Sequence, residues 1–465
     1  RYPRVLDKAL LDAVLDRALS RGADFAEIFA ENTREFSFSY LDRVPRRMLR
    51  GHDLGAGLRL FYGTRQVYAH TSDLSRDSLL ALANTAAAAG SGTCLPGGRK
   101  LPRLSPAAVT AVEVPPSSAE AREHLEFARS ADHAARAVGP AIAQVTVSVS
   151  WTEREVLVAA SDGTHTGESR SYLMGAVEAI AAEGAERQSG RKVLSSRTGL
   201  TEFRALPVEQ VAREAAELAV RMVRAPYAPA GRMPVIIGND FGGVIFHEAC
   251  GHALETTSVA KNASSFAGKL GKMVAAECVT ALDDGTAPGR WGTTAIDDEG
   301  RPTERTVLIE RGVLKSYMVD RLGALKTGLR PTGSGRRQGY RFAPTSRMRN
   351  TYIAAGKDRL EDMIASTDSG LYAKKMGGGS VNPATGEFNF AVLEGYLISR
   401  GKLAGAVRGA SLIGFGPEVI QRVTMVGNDL LMDTGSCGSI SGWVPTTVGQ
   451  PSIKVAEITV GGRSR

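Results

Sequence analysis

Apolar residues recur at helical spacing near the start of the chain: Leu6, Ala9, Leu10, Ala13, Val14 and Leu19 share a face and predict an amphipathic helix over residues 5–20. A β-rich stretch follows. Residues 26–30 and 36–40 read as two strands, and residues 55–62 and 66–70 predict a hairpin about Gly63. Ser75 is placed to cap a helix running to about Ala89, and the Pro/Gly-rich run from Gly90 to Pro116 reads as a long connection. The pattern then repeats in kind. Ser117 with Glu120 gives a capping-box start for a helix to Val138, residues 144–151 alternate strictly, and further strands are expected at 156–160 and 173–182. Pro207 suits the first turn of a helix ending near Val223.

Residues 225–231 carry two prolines and a glycine and separate that helix from a new apolar strand at 235–237. The expected division is an N-terminal domain over 1–228, open to a further break near 91–116, and a C-terminal domain over 229–465. The second half is Gly-rich and shows β-like segments at 306–309, 388–392, 395–399, 423–426 and 452–460. The fold class is therefore α+β: an N-terminal α/β domain plus a mainly antiparallel-β C-terminal domain built around one helix, whose chemistry is described below.

The chain's 465 residues exceed what one hydrophobic core usually fills, which agrees with two domains. Its 43% apolar and 23% charged content is ordinary for a globular protein, and no apolar run approaches the ~20 residues that span a bilayer, so no membrane span is expected. No signal-type apolar segment follows Arg1, although the chain does not begin with Met and a removed leader stays open. Cys94, Cys250, Cys278 and Cys437 lie far apart, as reduced thiols or metal ligands do, which points to the cytoplasm. The net charge of +8 comes without any zinc-finger, helix-turn-helix or RNA-binding signature, so nucleic acid is not an expected partner. The basic clusters at 46–50 and 336–341 read as solvated loops.

The chemistry concentrates in His247-Glu248-Ala249-Cys250-Gly251-His252, which follows an Asn-Asp turn signal and reads as a helix. Two imidazoles and a carboxylate on one element are the equipment of zinc hydrolases. In the common H-E-x-x-H pattern the histidines are four apart and share a face; five apart, they diverge by ~140° on a regular helix. Either the helix carries a one-residue bulge, with Gly251 as the natural place for it, or it ends before His252. The plain alternative is a pair of core histidines bonded to backbone carbonyls. A catalytic zinc uses three protein ligands, so a further donor is needed. Cys437, in the small-residue run 435–439 and expected to lie on a loop, is the first choice; Cys250 and Glu255 are the others, while Cys94 and Cys278 read as buried small hydrophobes. With one zinc in place, Glu248 is the natural general base.

Together the HEACGHALE segment, the blocks at 55–61, 265–271 and 345–353, and the Cys437 run ending in Gly449-Gln450-Pro451 make the chain resemble the TldD/PmbA (TldE) family, and within it the metal-bearing branch. That resemblance implies a peptidase with one zinc held by His247, His252 and Cys437, acting on unfolded or modified peptides in the cavity of a homodimer or of a heterodimer with a TldE/PmbA-like subunit. It also implies substrate held as an added β-strand, for which 348–353 is the candidate. Arg347, Asn350 and Tyr352 are the candidate substrate-binding residues, and Tyr340, Arg347 and Asn350 the candidate oxyanion donors. The Arg-rich stretch 336–349 suggests a preference for acidic peptides or a terminal carboxylate. The competing readings are an enzyme similar to dipeptidyl-peptidase III, with a Glu as third ligand, and a non-catalytic partner subunit with structural zinc.

Overall fold

The computed structural model describes residues 6–90, 111–382 and 385–463. Its first half is one antiparallel sheet of unusually long strands, β1 (Phe25–Leu41), β2 (Val44–Tyr62), β3 (Arg65–Thr71), β4 (Ile142–Ala160), β5 (His165–Glu183) and β6 (Glu186–Ser196), in the order β3-β2-β1-β4-β5-β6. Period-2 alternation explains its two faces. On one face, helices Lys8–Leu19 and Arg76–Ala89 cover Ile28, Ala30, Leu58 and Leu60, while helices Ala121–Arg136 and Val208–Arg224 cover Phe36, Phe38, Val147 and Val149 further along the same strands.

The two strands expected at 26–30 and 36–40 are thus a single strand, β1, and 144–151 and 156–160 are both β4. The reason is visible in the polar interruption. Asn32 and Arg34 lie between the two helix-covered patches and stay partly or fully in solvent, whereas Glu31 and Thr33 point the other way and are buried, Glu31 accepting the Tyr340 N–H of the second half at 3.0 Å. The cluster at 46–50 is likewise exposed strand within β2 rather than loop. Helix Ala121–Arg136 starts later than its sequence signal, because Pro116–Ser118 forms a 3-10 turn of its own; Glu120 is the N-cap, and its N–H donates to Glu123 at 3.3 Å.

Beyond residues 225–231 the second half contains β7 (Gly231–Asp240), β8 (Ala281–Asp284), β9 (Arg305–Glu310), β10 (Val313–Leu314), β11 (Gly335–Arg336), β12 (Thr345–Ser346), β13 (Asn350–Ile353), β14 (Ser369–Val381), β15 (Glu387–Ser399), β16 (Lys402–Val407), β17 (Ser411–Phe415), β18 (Val423–Val426), β19 (Leu431–Ser439), β20 (Gly442–Gln450) and β21 (Ile453–Gly461). Two larger sheets result: β10-β9-β8-β13-β20-β19, and a seven-stranded one in which β14, β7, β21, β17, β15 and β16 follow one another and β18 pairs with β21. Pairing is mainly antiparallel, with parallel exceptions at β13–β20 and β14–β7. The α+β class holds. The strands expected at 388–392 and 395–399 are one element, β15, irregular in its register with β14 around Lys375 and Met376.

The halves meet through buried charge. Arg59 donates to Glu27 at 3.0 Å and to Glu299 at 2.6 Å, and Arg337 donates to Glu27 at 2.8 Å, with all four side chains sealed from solvent. Arg337 also lies 4.3 Å over the Phe29 ring, and Arg170 reaches Asp298 at 2.6 Å. The reading of 336–341 as a solvated loop is therefore corrected for its first two arginines. Arg336 is buried too, donating to the carbonyls of Met348 (2.6 Å) and Pro445 (2.7 Å). Burial, together with the nearby Arg349, pushes its guanidinium down to about 9. Both guanidiniums are engaged inside the protein, which removes the basis for an acidic-peptide preference at these two positions.

Candidate metal centre

The chain enters the site from β7. Phe241 takes a left-handed conformation (φ 58°), its N–H donating to Asp433 at 2.7 Å, and Gly242 and Gly243 follow. Neither glycine has room for a side chain: a Cβ would lie 1.9 Å from the Gly238 carbonyl oxygen or 2.5 Å from the Gly449 nitrogen. A single turn, Val244–Phe246, leads into a π-helical turn over His247–Gly251, and then a 3-10 turn, His252–Leu254. The N–H of His252 donates to the carbonyl of His247. This i to i+5 closure absorbs the extra residue and brings the second imidazole back beside the first. Gly251 keeps an ordinary helical φ of −59°; what its missing side chain permits is close packing, since a Cβ there would lie 2.2 Å from the Met348 sulfur.

One ring nitrogen from each of His247 and His252 and the Cys437 sulfur all lie within 4.8 Å of one another. His252 Nε2 is 3.3 Å from Cys437 Sγ, and the two imidazole centroids are 5.3 Å apart at 85°. Donors in a tetrahedral zinc site are about 3.5 Å apart, given Zn–N and Zn–S bonds of roughly 2.0–2.3 Å, so the spacing suits such an ion. Among the described residues His247 Nδ1 is buried with no hydrogen-bond partner, a polar atom left to be satisfied by something bound at the site. Cys437 sits on β19 opposite Val444, so the loop expected there is a strand. Its carbonyl accepts a hydrogen bond from Arg347 at 2.6 Å.

Electrostatics favours a thiolate. Burial pushes the Cys437 thiol up, but the charge and hydrogen bonds of His247 and His252 outweigh it and hold the group at about 3. Burial pushes His252 down, yet Glu255 and Cys437 raise it well above the usual histidine range. Glu255 reaches His252 Nδ1 at 3.2 Å and accepts the Met348 N–H at 3.3 Å, so this carboxylate orients the ring from behind and leaves Nε2 toward the sulfur. Glu248 Oε2 lies 3.7 Å from His252 Nε2, and its side chain is 29% exposed. It lines a cavity of about 520 Å³ together with Phe241, Val244, Phe390 and Trp443.

The other cysteines fall elsewhere. Cys250 is fully buried in the core of the second half, and burial drives its thiol far up, which leaves it a neutral hydrophobe. Cys278 is exposed, correcting the expectation of a buried one, and Cys94 lies outside the described residues.

Arg347 reaches the strand that carries Cys437, but neither Arg347 nor Asn350 lines the cavity beside Glu248. Arg347 is fully buried and donates to Ser441 and to the carbonyls of Gly442 and Cys437; Asn350 is fully buried and bonded to Asp284, Thr293 and Gly292. Tyr340 hydrogen-bonds Asp53 at 3.2 Å, at the junction with the first half. Tyr352 lies on β13, which is paired with β8 on one side and β20 on the other, so the run 348–353 has no open edge for an added strand. The outer strands of that sheet are β10 and β19, and β19 carries Cys437. Sequence reasoning missed Phe241 and Trp443; the Asn239-Asp240 turn signal and the unusual Trp in a Gly/Ser-rich run were the available pointers.

Three sequence profiles cover nearly the whole chain: PmbA/TldA metallopeptidase domain 1 at residues 26–90, the central domain at 114–223 and the C-terminal domain at 230–462. The chain belongs to the PmbA/TldD metallopeptidase family. A metalloprotease TldD homolog of Haemophilus influenzae is 35% identical over 99% of this chain and 97% of that protein, and a metalloprotease of Methanothermobacter thermautotrophicus is 31% identical over 94% and 96%. Among solved structures, TldE of Thermococcus kodakarensis matches with a TM-score of 0.76 at 21% identity, covering 97% of this chain and 100% of that one. A Thermotoga maritima protein, solved as a candidate modulator of a DNA gyrase, gives 0.80 at 22% identity, covering 98% and 100%. These likenesses place the fold in the PmbA/TldD family. In this member the His, His and Cys group can hold a metal ion, and no helix among the described residues is long and apolar enough to cross a membrane.

Proposed function

We propose that the chain is a zinc-dependent peptidase that hydrolyses unstructured peptides or peptide precursors, with His247, His252 and Cys437 as ligands and Glu248 as general base. The carrying observation is the convergence of two imidazoles and a thiolate beside a partly exposed carboxylate that opens on a cavity. Zinc, when bound, polarises the scissile carbonyl and makes a water molecule acidic near neutral pH. Glu248 takes the proton of the attacking water and delivers it to the leaving amine, completing hydrolysis of the amide bond. Glu255 holds His252 in the tautomer that offers Nε2, and Arg347 fixes the strand that presents Cys437. The edge of β19 supports main-chain recognition of an extended peptide, a mode available only to unfolded substrates.

Three donors group at the site among the described residues, which favours a catalytic ion with an open position over a structural one. Glu255 bonds His252 instead of joining that group, which favours Cys437 over a carboxylate third ligand. The working unit is a homodimer or a heterodimer with a TldE/PmbA-like subunit, located in the cytoplasm, and the domains divide at 228/229. The test is to measure bound zinc and cleavage of an unfolded peptide for the purified chain, alone and with a TldE-type subunit, and to repeat both with Cys437→Ala. Zinc and cleavage are expected together and lost together; a zinc-replete Cys437→Ala protein with full turnover overturns the assignment.

A further inference from the structure

The cavity beside Glu248 has a one-sided chemistry. Phe241, Val244, Phe390 and Trp443 supply its apolar walls, three glycines line it without side chains, two serines add small polar positions, and Glu248 is the charged side chain among its lining residues. Trp443 is 65% exposed, a large aromatic held out toward solvent. It is nonetheless fixed in place: it pairs across the hairpin with Gly438, and a Cβ at Gly438 would lie 3.1 Å from three atoms of the indole, so the ring lies flat against that glycine. Opposite, a Cβ on Gly378 would meet nothing within 4 Å, which leaves that side open to an incoming chain.

Phe241 supplies a second, independent observation. A bulky residue in the left-handed region is rare and costs about 1–3 kcal/mol, so it persists where the surroundings enforce it. Here Asp433 accepts its N–H, and the two sterically required glycines after it fix the chain's direction. The strained residue places an aromatic ring in the cavity lining seven residues ahead of Glu248.

We propose that Phe241 and Trp443 form a specificity subsite for a large apolar, preferably aromatic, side chain of the peptide flanking the scissile bond. This rests on the peptidase reading above. A cavity of about 520 Å³ admits a side chain of that size. Aromatic rings on its walls gain by covering with another apolar group, whereas an acidic side chain would lose hydration and face the Glu248 carboxylate.

The experiment uses the full-length zinc protein and two octapeptides identical except for Phe or Ser at the position flanking the cleaved bond. The ratio of kcat/KM, Phe over Ser, is expected to be about 10–100 in the natural protein, the range open to apolar discrimination. It should fall at least fivefold in Trp443→Ala and in Phe241→Ala, and return to within about twofold in Trp443→Phe. Labelled forms of the same peptides are also bound to the Glu248→Gln protein, with and without Trp443→Ala, and the ratio of Kd is read. Binding that prefers Phe, and loses the preference on Trp443→Ala, supports the subsite even if no peptide is cleaved, in which case the peptidase reading fails and the subsite stands. Cleavage with a ratio that neither variant changes overturns the subsite and leaves the peptidase. A Trp443→Ala protein whose solution mass halves while both ratios hold would assign the indole to contact with a second copy instead, and likewise overturns it.

Discussion

Between the halves of the chain, Arg59 and Arg337 converge on Glu27 and Glu299; within the second half, His247 and His252 converge on Cys437. The first cluster is sealed and the second is buried except for a partly exposed His252, and both join segments far apart in sequence. In the first, fixed positive charges meet fixed negative ones, although Arg59 Nε and Nη1 lack partners of their own. In the second, three groups that ordinarily donate electron pairs face one another. The first arrangement sets charge against charge within the polypeptide and acts as a joint, where removing one member strands a charge. The second is suited to gathering a cation, and its neighbours Glu255 and Arg347 serve to aim the donors.

This contrast is open to direct attack, beginning with the largest expected effect. Glu248→Gln should lower peptide cleavage by about 10²–10⁴-fold while bound zinc, measured by elemental analysis, is retained. Turnover within threefold of the natural protein would remove Glu248 from the proposed role. Next, Glu27→Ala strands Arg59 and Arg337 and should cost about 3–5 kcal/mol in urea unfolding, as expected when a buried ion pair loses one partner. A loss below 1 kcal/mol would mean that the junction is not the joint described. Glu255→Ala should weaken zinc affinity by about 10–100-fold in a chelator competition, and unaltered affinity would separate this carboxylate from the metal group.

The smallest effect is a pH dependence at the edge of the first cluster. Burial and the neighbouring Glu299 push Asp320 up to about 6. Since that lies above the ordinary carboxyl value of 3.8, the folded state holds this proton more tightly than the unfolded one. The stabilisation is fully present below pH 3.8 and is lost as the pH rises through about 6. Asp320 caps helix Arg321–Thr327 by accepting the Gly323 N–H, a role Asn also fills. The melting temperature of the natural protein relative to Asp320→Asn should therefore fall by about 2 °C between pH 4.5 and 7. A difference independent of pH would place the titration elsewhere.

Much of this was legible in the amino-acid pattern. Helical periodicity and Ser75 located the first two helices, and the residue types of HEACGH with a distant Cys named the cluster. What escaped was governed by neighbours remote in sequence. The break in β1 looks like a turn because residues 32 and 34 fall between two helical patches, a fact set by tertiary packing. Arg336 and Arg337 look like surface because the partners that make their burial tolerable, Glu27 and the carbonyls of Met348 and Pro445, are contributed by other elements. The run 348–353 looks like a free strand because its partners β8 and β20 are set by sheet topology alone.

The wide turn at His247–Gly251 has a genetic corollary. Deleting one codon between the histidines would restore the four-residue spacing of the common zinc-hydrolase helix and allow both rings to project from a regular backbone, at the expense of drawing the downstream chain back by about 1.5 Å. The two spacings therefore differ by a single in-frame deletion, and what such a deletion would disturb here is the fit of everything after His252, beginning with Glu255 against the ring and Met348 against Gly251.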